Sequence, residues 1–155
     1  MKNHSLRLIT FVCMFILCFV SCSKINSPSQ FVNSFSLGET IKRMNVEEID
    51  VSSVEYTQTA SAGNPSSHRR DFDVTMAIKE PKTESFDEQG FLAKLKARIV
   101  QEAKDSGVRV SGEGQGGDTF HVEYQNKNYH GGIEVIGVRT EKNKYRVWCV
   151  IRELA

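Results

Sequence analysis

The sequence predicts an α+β fold, a two-layer sandwich with one helix packed on a mostly antiparallel sheet in the order ββαββββ. Three observations predict it. Phe72, Val74, Met76 and Ile78 alternate with Asp71, Asp73, Thr75 and Lys79, the period of a strand with one buried face. Phe91, Leu92, Leu95, Ile99 and Ala103 fall on one helical stripe while Lys94, Lys96, Arg98, Gln101 and Lys104 face away, so that stripe needs a sheet to cover it. The extended segments 118–125, 129–140 and 144–153 are separated only by Asn126-Lys127-Asn128 and Glu141-Lys142-Asn143, connections short enough for an antiparallel meander.

Taken in order, the folded body is expected to begin near Val46. Ile49, Val51, Val54 and Tyr56 alternate with polar residues, slipping once at Ser52-Ser53, which predicts a strand with a bulge. Residues 61–70, SAGNPSSHRR, form a turn-rich linker punctuated by Gly63-Asn64-Pro65, and Pro81 ends the strand that follows. The helix is predicted over 86–106, opened by Ser85 with Glu88 in a capping box and stopped by Gly107. Val108 to Ser111 is a short extended piece, and Gly112-Glu113-Gly114-Gln115-Gly116-Gly117 reads as a flexible hairpin loop. In the last strand Tyr145, Val147, Cys149 and Ile151 share the core face. Arg146, Trp148, Val150 and Arg152 share the other. Apolar residues in that second set mark it as a face that something covers, if only the arginine stems. No internal repeat is evident.

Residues before Val46 read differently. Lys2 and Arg7 flank a polar start, and Leu8 to Val20 is then apolar except for Thr10. These 13 residues fall short of the roughly 20 that a membrane-crossing helix needs, so residues 1–21 read as an export signal. The run ends Phe19-Val20-Ser21-Cys22, which resembles the lipobox of bacterial lipoproteins, with Phe19 standing where leucine is usual. The resemblance covers residues 1–22 and implies that Cys22 carries the diacylglycerol and becomes the N-terminus after cleavage. It also implies attachment to the cell membrane or outer membrane, with the domain facing the periplasm or exterior. Ser23 in place of the aspartate that retains such proteins at the inner membrane favours the outer one. Residues 22–45, rich in Ser and Asn, are expected to form a flexible tether between the lipid and a domain at 46–155, with room for a short helical turn near Glu39 to Met44.

Composition bounds the function. Lys2 and Arg7 leave with the signal, so 18 basic residues face 19 acidic ones. That balance supplies no concentrated basic surface for nucleic acid. Cys13 and Cys18 also leave and Cys22 is lipidated, so Cys149 is the only cysteine expected in the body and no internal disulfide forms.

Candidate chemistry is sparse. His68, His121, His130 and Cys149 show none of the close ligand pairs that metal sites use, and neither metal nor cofactor is expected. His121 and His130 are placed to approach each other across a hairpin. A Cys149 nucleophile needs one of these histidines beside it, whereas its place between Val147 and Ile151 predicts a core thiol. The glycine run lacks the following Lys and Ser or Thr of a phosphate loop. Gly131-Gly132 suggests a bulge or close backbone packing, and Arg69-Arg70 a solvated turn. The expected function is thus a membrane-tethered, non-enzymatic interaction module whose sheet face around Trp148, Arg146 and Arg152 binds an envelope protein, glycan or lipid. The alternatives are an envelope enzyme using Cys149 with His121 or His130, and a carrier with a ligand cavity between helix and sheet.

Overall fold

In the computed structural model the described residues are 28–60, 67–79 and 86–155, with the backbone alone described at 52–60 and 67. They form helices α1 (Gln30–Ser34), α2 (Leu37–Met44) and α3 (Glu88–Asp105), and strands β1 (Ile49–Ala60), β2 (Ser67–Ile78), β3 (Arg109–Gly116), β4 (Thr119–Gln125), β5 (His130–Glu141) and β6 (Lys144–Leu154). The export signal, Cys22, the Gly63-Asn64-Pro65 turn, Pro81 and Ser85 lie outside the described residues.

The fold is α+β, with a six-stranded antiparallel sheet in the order β1-β2-β6-β5-β4-β3. The last strand is inserted at the centre, between β2 and β5. Its alternation explains why: Tyr145, Val147, Cys149 and Ile151 are fully buried and pair with Met76, Val74, Phe72 and Arg70 of β2, so the apolar faces of the two strands coincide. The expected bulge in β1 is present as a register shift between Val51 and Ser53.

Helix α3 buries Phe91, Leu92, Leu95, Ile99 and Ala103, each large side chain contributing about 1.5–3 kcal/mol. Phe91 meets Tyr145 edge to face at 5.7 Å between ring centres, which fixes the core-facing side of the sheet. Gly107 at φ 75° follows the helix, as expected of a left-handed stop. The start differs from the predicted capping box. Asp87 is the N-cap, its carboxylate accepting the Gly90 amide at 2.9 Å, because an Asp here reaches the free amides of the first turn directly.

Residues 30–44 correct the expected tether. They form α1 and α2, and Phe31, Val32, Phe35, Leu37 and Ile41 are buried in the same core as the sheet. Phe31 packs edge to face on Tyr124 at 5.2 Å and Phe35 on Phe72 at 5.3 Å. The attachment is also polar. Glu102 of α3 accepts from the Thr40 hydroxyl at 2.8 Å and pairs with Arg43 at 2.8 Å and Arg98 at 3.1 Å. At the sheet end Glu153, fully buried, accepts the Ser29 amide at 2.6 Å. Its neighbour in register on β2 is His68.

Two further expectations are corrected. β2 begins at Ser67, so Arg69 and Arg70 belong to a strand and not to a solvated turn. Arg69 pairs with Asp71 at 2.9 Å, and Arg70 donates to the Val32 and Asn33 carbonyls at the end of α1. The glycine-rich segment is likewise strand: Gly112, Gly114 and Gly116 pair with Glu123, His121 and Thr119 of β4.

Candidate functional site

The sheet face turned away from Phe91 and Tyr145 carries the exposed alternate residues of each strand. Its shape follows from where that face has glycine. On β3 the Gly-x-Gly-x-Gly period of two puts Gly112, Gly114 and Gly116 all on this face. A Cβ at 114 would collide with the His121 ring, and one at 112 would lie 2.9 Å from a Glu123 carboxylate oxygen. His121 and Glu123 therefore lie over the bare edge strand, away from β5.

On β5 the gap they leave is floored by Gly132. Next to it Val150 is almost fully buried, 1% exposed, although it lies on this face. The result is a concavity of about 840 Å³ with Gly132 and Val150 in its lining, within the roughly 300–1,000 Å³ range of small-molecule sites. Its walls are set by register. Glu123, Gly132 and Arg152 form one row across β4, β5 and β6; His121, Glu134 and Val150 form the next; Gln125, His130 and Leu154 close the end.

Among the described residues Glu123, Glu134 and Arg152 form no ion pair. Glu123 and Arg152 stand two strand spacings apart, roughly 10 Å between backbones, with no side chain between them. A concavity bordered by unneutralised ions of both signs can hold a polar ligand by charge-assisted hydrogen bonds.

Of the residues singled out from sequence, Arg152 borders this concavity. Arg146 does not: its guanidinium makes two contacts to the Asp73 carboxylate, one at 2.8 Å. Trp148 is half-buried between Asp73 on β2 and Ile136 on β5. Glu123, Glu134 and Gly132 were missed, because exposed charges on a strand look the same whether or not a glycine lies beside them.

The Arg146 contact, helped by the guanidinium's charge and opposed by burial, holds the Asp73 carboxyl below its ordinary value. A carboxyl depressed in the folded state adds stability above its unfolded value, and this is lost as pH falls through the lower, folded value. Asp73→Asn is therefore expected to cost under about 1 kcal/mol at neutral pH, since both partners are partly exposed. Urea unfolding at pH 7 and below pH 3 checks this, with the difference from wild type vanishing in acid, about where the carboxylate gains its proton.

His121 and His130 are not brought together. Their rows lie four residues apart, about 13 Å along the strand, at opposite ends of the concavity. Among the described residues no group of three or more candidate metal ligands assembles. Cys149 is fully buried between Phe72 and Val135. Burial, and secondarily the charge of Asp71, pushes its thiol well above the ordinary range, so it stays protonated and inert at neutral pH. Both histidines lie on the opposite face, and the Cys149–histidine pairing of the enzymatic alternative is not formed.

The glycine pair separates into two roles. A Cβ on Gly131 would collide with the Arg152 carbonyl oxygen and crowd the Tyr124 ring at 2.8 Å, the close backbone packing that the sequence suggests. A Cβ on Gly132 would meet nothing nearer than the Val122 carbonyl at 3.6 Å. Space there is open.

No protein family matches this sequence, and no curated protein is similar to it at a significant level.

Proposed function

We propose that this protein is a membrane-tethered, non-enzymatic binding module of the cell envelope, with its ligand or partner held at the Gly132 concavity. In this reading the domain is a two-layer sandwich whose helices form one layer, leaving the opposite sheet face to the partner. The observation that carries the binding role is the concavity itself: about 840 Å³, floored by glycine and bordered by Glu123, Glu134 and Arg152 without ion pairs among the described residues.

The tether rests on sequence. The apolar run Leu8–Val20 leads directly into Ser21-Cys22, so that it ends Phe19-Val20-Ser21-Cys22, which resembles a lipobox, and Ser23 favours the outer membrane as its destination. Among the described residues no helix is long and apolar enough to cross a membrane, and two or more acyl chains on Cys22 would anchor the domain stably.

Intact-mass analysis of membrane-extracted protein tests this. The expected species begins at Cys22 and carries acyl chains, and Cys22→Ala is expected to move most of the protein out of the membrane fraction. Unprocessed protein in the cytosol, or a Cys22→Ala variant held as firmly as wild type, would refute the tether.

A further inference from the structure

We infer that the Gly132 concavity binds a small zwitterion, a molecule carrying a primary ammonium and an anionic group a few bonds apart. The inference deepens the proposed binding role and rests on it. Opposite charges facing each other across a sheet normally meet as a cross-strand pair. In the row Glu123–Gly132–Arg152 they are not neighbours: strand β5 stands between them, Gly132 puts no side chain into the gap, and Glu123 lies over Gly112 on its other side. Glu134, two residues along β5 from Gly132, adds a second carboxylate that makes no ion pair among the described residues.

The row thus sets two opposite charges on either side of an open gap. A ligand of one sign would satisfy one wall and leave the other unpaired. A ligand with both signs completes the row, its ammonium between Glu123 and Glu134 and its anion on the Arg152 guanidinium, which offers a planar fork to carboxylate or phosphate. Between the charges the floor is the Gly132 backbone with Val150 beside it, which suits a short uncharged link. The volume admits more than a single amino acid, so the same chemistry fits a peptide end or an ethanolamine phosphate headgroup.

Calorimetric titration of the full-length protein, purified from membranes in detergent, tests this with glycylglycine, O-phosphoethanolamine, acetate and methylammonium. At least one zwitterion is expected to bind saturably, at least about tenfold more tightly than either singly charged compound. The arm that binds more tightly distinguishes a peptide-type ligand from a lipid headgroup. Arg152→Gln is expected to weaken binding about tenfold or more, and Gly132→Leu to abolish it while keeping cooperative unfolding, since its Cβ has room. The inference is overturned by no saturable binding of either zwitterion up to about 10 mM. Equal binding of the singly charged compounds, or wild-type affinity in folded Gly132→Leu, overturns it as well. Intact mass of the same preparation reads acylation at Cys22 independently, so loss of the zwitterion site and loss of the tether are told apart.

Discussion

Phe31→Ala is expected to lower the unfolding free energy by about 3–5 kcal/mol, the range for truncating a buried phenylalanine. The ring is 2% exposed and packs edge to face on both Phe35 and Tyr124. Its removal leaves a cavity where α1 meets the sheet. Urea unfolding followed by far-ultraviolet circular dichroism gives the number. A change within about 0.5 kcal/mol, normal for an uninvolved surface position, would mean that residues 30–44 are a tether after all.

The second large effect separates two adjacent residues. Gly131→Ala drives a methyl into the Arg152 carbonyl, a backbone atom held within the β5–β6 ladder. Relief requires moving a strand, so a loss of about 2–3 kcal/mol is expected, at the upper end for overpacking. Gly132→Ala meets only ordinary contact at 3.6 Å. It is expected to be neutral or to stabilise by up to about 1 kcal/mol, because alanine restricts the unfolded chain. Thermal or urea unfolding of the two variants side by side decides it. Equal losses would show that Gly132 is a packing residue and not the floor of an open site.

The elements legible in the sequence were those whose pattern is both long and regular. The strand around Phe72–Ile78 and the stripe from Phe91 to Ala103 each repeat over several residues, and both appear where expected. Helix α1 did not announce itself, and of α2 the sequence suggests only the turn near Glu39 to Met44. At five residues α1 is too short for a period to emerge, and Ser and Asn around Phe31 and Phe35 favour turns over helix. What holds the two helices is tertiary: Tyr124, Phe72 and Glu102, all distant in sequence. The glycine segment misled for the opposite reason. Glycine is depleted in strands, and composition outweighed a spacing of two that was plainly there.

The concavity was the least legible part. Arg152 was singled out for its strand and neighbours, but its relation to Glu123 exists only through the shared row with Gly132, and register is a property of the paired sheet. Nor does the sequence show that Gly131 and Gly132 differ. They point to opposite faces, one against packed backbone and the other to open space.

The bond from the Ser29 amide to the buried Glu153 carboxylate shortens the leash. If Cys22 sits in a bilayer, only seven residue steps separate it from Ser29, a stretched span of at most about 25 Å, where a chain free to position 45 would reach roughly three times as far. The module would then ride low over the lipid, with the end of the sheet that bears His130 and Leu154 closest to the moored terminus. A partner reaching this face would approach along the membrane surface, and lengthening the cable should raise the berth without altering the grip.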